Sequence, residues 1–274
     1  MSDLPSEINR FVDLFAGGLN VGINVKAQKI YANDQINYLI EMYELFKQQS
    51  VDETVTAIEN IIEKYNLSKE NVKGYNALRN DYNSSKGVLE LFVITCYSFN
   101  HQIRFNNSHQ FNTPFGKGRS SYNSSIKKNL VDFCVALQEK SIVLSNDDFM
   151  RFDFTEFGVN DVVYCDPPYL ITTGSYNDGK RGFKDWSVKE ENELLELLDA
   201  LNDRGVKFAL SNVFQHKGLT NDILIEWSKK YRVTYINKSY SNCNYQFKEK
   251  ESKTVEVLIT NYKVGESCQL RLET

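Results

Sequence analysis

The stretch Val162-Val163-Tyr164-Cys165-Asp166-Pro167-Pro168-Tyr169 places an acid, two prolines and an aromatic ring directly after an apolar run. The run predicts a buried strand. Pro167 and Pro168 cannot donate to a sheet ladder, so the strand has to end there. In a parallel α/β sheet, ligands bind just outside the carboxyl ends of the strands, which puts Asp166 and Tyr169 at the mouth of a site. A carboxylate beside the Pro167 carbonyl can accept both protons of one amino group, while Tyr169 offers a face to the ring that carries it. That combination suits the exocyclic amine of a nucleobase. The plainer reading of the same residues is a strand, a turn and an acid that caps a loop.

Other chemistry-bearing residues also fall at predicted strand ends. Phe11-Val12-Asp13-Leu14-Phe15 reads as a strand, Ala16-Gly17-Gly18 as a tight turn, and Leu19–Val25 as the start of a helix. Strand, glycine turn and helix make a nucleotide-binding shape, because glycine lets the backbone approach a ligand where a Cβ would clash. No G-x-G-x-x-G and no Walker lysine is present, so neither a dinucleotide nor a triphosphate is indicated. A second strand, Lys29–Ala32, ends at Asn33-Asp34. Its acid fits a carboxylate that grips a ribose diol roughly 20 residues past the glycines, or the cap of a helix from Gln35 to Gln48.

The middle of the chain breaks this alternation. Residues 51–139 carry helical patterns, then two polar-aromatic runs, Phe99–Asn107 and Ser108–Gly116, that predict a β-hairpin. Its Asn, Gln, Arg and Thr side chains are the types that read base edges, although a surface hairpin without a partner has the same look. Alternation resumes with a strand at Ser141–Ser145 followed by Asn146-Asp147-Asp148-Phe149. Leu170–Lys184 reads as a loop. A capping box, Ser187 with Glu190, opens an amphipathic helix that Gly205 closes. Val206–Leu210 predicts a strand closed by Ser211-Asn212, and Asn221–Lys230 a helix. Tyr231–Ile236 and Val255–Tyr262 predict an antiparallel pair flanking the loop Asn237–Lys253.

A length of 274 residues suffices for one large domain, or a core domain with an inserted module. Hydrophobic content of 41% and charged content of 25% are ordinary for a globular protein. The net charge of -4 argues mildly against a dedicated nucleic-acid module, yet basic stretches occur at Lys117–Arg119, Lys127-Lys128, Lys180–Lys184 and Lys238–Lys253. Five scattered cysteines without a Cys-x-x-Cys, and no signal peptide, point to a reducing, cytoplasmic setting. No His or Cys spacing suits a metal, and no apolar stretch reaches the roughly 18–20 residues of a membrane helix.

Taken in order, Phe15-Ala16-Gly17-Gly18, Asp34, Asp148-Phe149 and Asp166-Pro167-Pro168-Tyr169 resemble an S-adenosylmethionine-dependent amino-methyltransferase. More narrowly, the chain looks like the Dam-type DNA adenine-N6 methyltransferases, in their phage-like branch. The most specific pieces are Phe11–Gly18, Arg104 with Phe111–Lys117, Asp166–Thr172 and Leu197–Val213. The fold implied is α/β: a Rossmann-like, mostly parallel sheet of the methyltransferase type with an inserted, mainly helical target-recognition module carrying a β-hairpin. Residues 1–50 and 140–274 would form the catalytic domain and 51–139 the recognition domain.

The resemblance further implies that Asp13, Phe15, Ala16, Gly17, Gly18, Asp34, Asp148, Phe149 and Asp166 bind S-adenosylmethionine. Asp166, Pro167, Pro168 and Tyr169 would hold and methylate the target amine. Arg104, Asn106, Phe111, Asn112, Pro114 and Lys117 would contact double-stranded DNA, in a GATC site. A monomer that needs no metal is expected. One departure concerns the upstream Gly-x-Lys element of the family, which none of the ten residues before Phe11 forms; another is Asn146-Asp147, where many members have glycine. Two other readings stay open: a catalytically inactive DNA-binding relative, and methylation of cytosine N4 or of an RNA base.

Overall fold

The computed structural model describes residues 4, 5, 7–172, 186–236 and 254–263. The polar-aromatic loop Asn237–Lys253, with its basic residues, lies outside the described residues. So does the part of the Leu170–Lys184 loop from 173 on. In chain order the elements are β1 (Arg10–Asp13), β2 (Lys29–Asn33), α1 (Asn37–Gln48), α2 (Val51–Lys64), α3 (Val72–Ser85), α4 (Val88–Tyr97), α5 (Ser124–Glu139), β3 (Ile142–Ser145), β4 (Val162–Cys165), α6 (Val188–Asp203), β5 (Lys207–His216), β6 (Leu219–Thr220), α7 (Asp222–Ser228), β7 (Arg232–Ile236) and β8 (Val255–Thr260). Among the described residues, no helix is long and apolar enough to cross a membrane.

These residues divide into two compact units. The first takes the described residues up to Asn33, those from Asp147 to 172, and those from 186 onward. Its strands run in the order β2-β1-β4-β5-β8-β7, and β6 pairs with β5. The pairs β1–β2, β1–β4 and β4–β5 are parallel, while β8 is antiparallel to both β5 and β7. The centre of this sheet is buried on both faces: Phe11, Val12, Val162, Val163 and Cys165 are all 0% exposed. Such strands read as continuous apolar runs, which is why β1 and β4 stand out in the sequence. α6 begins at the expected capping box and buries Leu194, Leu195, Leu198 and Leu201. It ends at Gly205, whose φ of +77° is the left-handed turn that glycine adopts without a steric penalty.

Two sequence expectations change here. β5 continues past Leu210 to His216. Its first half pairs with β4 up to Cys165↔Leu210, and β8 pairs along its other edge from Ala209↔Thr260 onward. The polar Ser211-Asn212 pair therefore marks the end of the pairing with β4 and not the end of the strand. The helix expected over Leu19–Val25 is only a 3₁₀ turn at Gly22–Asn24. Leu19 sits at φ +57°, outside helical geometry, and the Gly22 N–H donates to the Asp13 carboxylate at 2.9 Å.

The second unit takes Asp34–Asn146. It comprises α1–α5 and β3. α2 carries a full capping box, Ser50 with Glu53, and Asn71 and Asn123 cap α3 and α5. Its interior is aromatic: Tyr75, Tyr82, Phe105 and Phe111 are each at most 1% exposed. The hairpin predicted over 99–116 closes by two isolated antiparallel bridges, Ser98↔Phe115 and Phe105↔Phe111. Between them Asn112 N donates to Arg104 O, Phe99 N to Pro114 O and Thr113 Oγ1 to Gln102 O, a mixture of backbone and side-chain bonds.

Candidate active site

Asp166 follows the last residue of β4, as the two prolines require, and its side chain is exposed. The Tyr169 hydroxyl donates to Asp166 Oδ1 at 2.8 Å and lies 3.5 Å from Ser211 Oγ. Burial, and then the neighbouring Asp166 carboxylate, push the Tyr169 phenol well above its ordinary value, so it stays protonated and keeps donating. Thr172 returns its backbone N–H to the Tyr169 carbonyl at 2.9 Å, which closes the turn behind the ring. Among the described residues, no backbone N–H takes the Pro167 carbonyl. A carboxylate, a carbonyl and a ring therefore stand together at one strand end. Cys165, one residue earlier, is fully buried, and burial pushes its thiol well up, so it is a core residue and not a nucleophile.

The neighbouring strand end, after β1, holds the glycine turn. Gly17 has φ +46°, and a Cβ there would meet only the Phe15 carbonyl oxygen, at 4.0 Å, so it would project into open space. Asp13 lies behind the turn at 2% exposure and holds Gly22. Ala16 is buried, and its N–H donates to Asn33 O at 2.8 Å. Gly18 is exposed. Phe15 packs against Phe149 at 5.3 Å between ring centroids, and against Trp186 at 5.6 Å. Phe149 and Trp186 are 5.7 Å apart, so three rings make one wall. Asp148 precedes it and caps the short turn of Phe149–Arg151 by accepting from Met150 N at 3.0 Å.

A backbone that only glycine readily adopts, an open space where a Cβ would sit, an aromatic wall and a carboxylate beside it fit an adenosyl cofactor. Asp34, the first residue of the second unit, accepts the Ile36 N–H at 2.8 Å and is 9% exposed. It does not cap α1, whose N-cap is Ile36.

Sequence reasoning passed over Asn33. Its amide nitrogen donates to Leu14 O at 3.2 Å and to Asp147 O at 3.0 Å, and its oxygen accepts from Asp147 N at 3.0 Å. One buried side chain thus ties the segment before Phe15 to the segment before Asp148. Trp186 was also missed, because it stands just outside the capping box and carries no motif. Ser211 was read as a strand terminus only.

In the second unit, Arg104, Asn106, Asn112, Pro114 and Lys117 are exposed. The Asn106 side-chain oxygen accepts from Ser108 N and Gln110 N, both at 3.0 Å, so it shapes the turn. Lys117 lies 4.0 Å from Glu70, both well exposed. Phe111 is 1% exposed and packs on Tyr82 and Phe105. It supports the loop from beneath. Asn83 on α3 holds the same residue by its backbone, accepting Phe111 N at 2.7 Å and donating to Phe111 O at 3.1 Å. Lys86 donates to His109 O at 2.9 Å. Replacing Asn83 with alanine leaves both backbone groups unpaired, at about 1–3 kcal/mol each when buried. Asn83→Ala is expected to lower the melting temperature in differential scanning calorimetry; an unchanged melting temperature would show that the clamp does not hold the loop.

A family model of the D12 class N6 adenine-specific DNA methyltransferases matches residues 1–257. The chain belongs to this family. Type II methyltransferase M.FokI of Planomicrobium okeanokoites is 53% identical over 258 residues, covering 94% of this chain and 40% of that protein. Modification methylase StsI of Streptococcus sanguinis is 46% identical over 260 residues, covering 94% and 40%. The DNA adenine methylase of Escherichia coli (strain K12) is 24% identical over 265 residues, covering 93% and 86%. The chain thus spans about two fifths of the length of the first two relatives. Membership agrees with the mostly parallel sheet and with the resemblance drawn from its strand ends. Identity to M.FokI and StsI is higher than to the Escherichia coli protein.

Proposed function

We propose that this chain transfers a methyl group from S-adenosylmethionine to the N6 amine of an adenine flipped out of duplex DNA. The observation that carries the reading is Asp166 beside Tyr169 at the end of β4, next in the sheet to the glycine turn that follows β1. Inside a duplex the N6 amine is paired and out of reach, so the base has to leave the stack. Unstacking costs a few kcal/mol, offset by the Tyr169 face and the amine's two hydrogen bonds. The cofactor, when bound, supplies an electrophilic methyl group. Asp166 accepts one amine proton in place of the Tyr169 hydroxyl, and the Pro167 carbonyl accepts the other. That grip turns the nitrogen lone pair out of the ring plane. Asp166 also opposes the positive charge that grows on N6, without reorganising, since its position is set by the strand end.

Phe15, Ala16, Gly17 and Gly18 receive the cofactor's methionyl and ribose parts in this proposal. Asp34 takes the ribose hydroxyls, and Asp148 takes the adenine amine beside Phe149. Asp13 acts from behind, by holding the turn. Residues 1–50 and 140–274 form the catalytic domain, and 51–139 the recognition domain. Arg104 is the best placed of the exposed loop residues for a bidentate guanine contact. Arg104→Ala is expected to relax discrimination at one base pair by about 1–3 kcal/mol. Kinetics on duplexes substituted at each position would remove Arg104 from the reading set if no position responded.

GATC is the site that the Dam-type resemblance implies, while the higher identity to M.FokI and StsI favours a site like theirs. Sequencing of methylated positions after incubation with plasmid decides between them. The reaction itself is tested by digesting treated DNA to nucleosides. N6-methyladenine is the expected product; N4-methylcytosine alone, or no methylated base, overturns the proposal. We further take the working form to be a cytoplasmic monomer.

A further inference from the structure

Glu191 is a carboxylate at 1% exposure with no cation paired to it among the described residues. It lies in the first turn of α6, one residue past the capping box. At the two positions where a helix start often carries an apolar staple, this chain places Trp186 and Glu191, and they meet by hydrogen bond. Trp186 Nε1 donates to Glu191 Oε2 at 2.7 Å. Asn221 Nδ2 donates to Glu191 Oε1 at 2.8 Å, and the Asn221 oxygen in turn caps α7. The Asn212 amide nitrogen is buried without a hydrogen bond of good geometry, yet lies near enough to favour the charged carboxylate. Burial raises the Glu191 acid above its usual range, and the three donors oppose that shift.

A buried carboxylate without a cation is costly. As an α6 staple alone, an apolar residue would serve better. What the carboxylate adds is direction. Trp186 and Asn221 donate to it, the Asn212 amide lies nearby, and Trp186 and Asn212 adjoin the proposed site. Trp186 forms the wall with Phe15 and Phe149. Asn212 follows Ser211, whose hydroxyl lies 3.5 Å from that of Tyr169. We propose that Glu191 is a positioning residue: through the Trp186 N–H it sets the tilt of the aromatic wall that receives the cofactor. This rests on the cofactor reading above and adds to it a residue that no motif marks.

The test uses the full chain with Trp186→Phe, which keeps a ring and removes the N–H. It also uses Glu191→Gln, which keeps the size but turns one acceptor into a donor facing donors, and the double variant. The KM for S-adenosylmethionine is expected to rise about tenfold in each single variant, on the scale of one hydrogen bond to a charged group. The loss should sit in KM for the cofactor rather than in KM for DNA. In the double variant the rise should be no larger than in either single one, because both remove the same link. A merely structural role would raise both KM values and add in the double variant.

A second arm needs no cofactor. The chain has two tryptophans, so in a Trp227→Phe background the emission is that of Trp186 alone. Glu191→Gln should shift that emission to the red. Unchanged emission, or wild-type cofactor KM in both single variants, overturns the positioning role. Failure of the unaltered protein to bind S-adenosylmethionine at all instead removes the proposed function, and with it the wall's cofactor.

Discussion

Asp166→Ala is expected to lower single-turnover methyl transfer by about 10²–10³-fold or more, the scale for removing one preorganised electrostatic contact from a transition state. Binding of duplex DNA should change little. Asp166 is exposed, so alanine opens no cavity and leaves no buried charge. Tyr169 loses a partner, and its hydroxyl still lies 3.5 Å from Ser211 Oγ. The loss is therefore expected in the chemical step and not in folding. Asp166→Asn sharpens the comparison. A carboxamide oxygen can still accept an amine proton, but it brings no charge against the growing positive charge on N6. Its rate should fall between the wild-type and alanine rates. Incorporation of labelled methyl groups with enzyme in excess over DNA measures all three. An alanine variant that turned over normally would end the mechanism proposed for this strand end.

Asn33→Ala is expected to destabilise the protein by about 2–4 kcal/mol, since each buried polar group left unpaired costs about 1–3 kcal/mol and the side chain serves Leu14 O, Asp147 O and Asp147 N. Asn33 is 1% exposed, so water cannot take its place at Leu14 without a rearrangement. The functional consequence follows from what it joins. The segments leading to Phe15 and to Asp148-Phe149 are anchored by the same amide, and both belong to the proposed cofactor pocket. Affinity for S-adenosylmethionine should fall along with the denaturation midpoint. Asn33→Asp should be no better at neutral pH. It keeps an acceptor for Asp147 N but turns the donor into an oxygen aimed at two carbonyls. Urea denaturation and calorimetric titration of both variants check this. Equal midpoints and equal affinity would mean the amide only decorates the strand ends.

The two strands at the centre of the site were legible from residue types alone. β1 and β4 are apolar on both faces because both faces are covered, and a doubly buried strand has no polar period to confuse it. Pro167-Pro168 stops β4 by chemistry that needs no tertiary context, and Gly17 takes a positive φ that few other residues tolerate. The capping box of α6 and the reversal at Gly205 are equally local. The acid, the tyrosine and the glycine turn could therefore be found in the chain before any fold was known.

What the sequence alone could not supply is whatever depends on a partner distant in the chain. β5 runs on through Ser211-Asn212 because β8, far along the chain, pairs with it from Ala209 to Gln215. Leu19–Val25 fails to become a helix because Asp13 takes the Gly22 N–H. Phe111 looks like a recognition residue in its polar neighbourhood, but Tyr82 and Phe105 bury it. The Asn33 tether, the Asn83 clamp and the Glu191–Trp186 contact are each single polar side chains with no periodic pattern around them. A hydrogen bond needs only two atoms in the right place, and that placement belongs to the packed chain; the strand, the stop and the left-handed turn belong to the residues themselves.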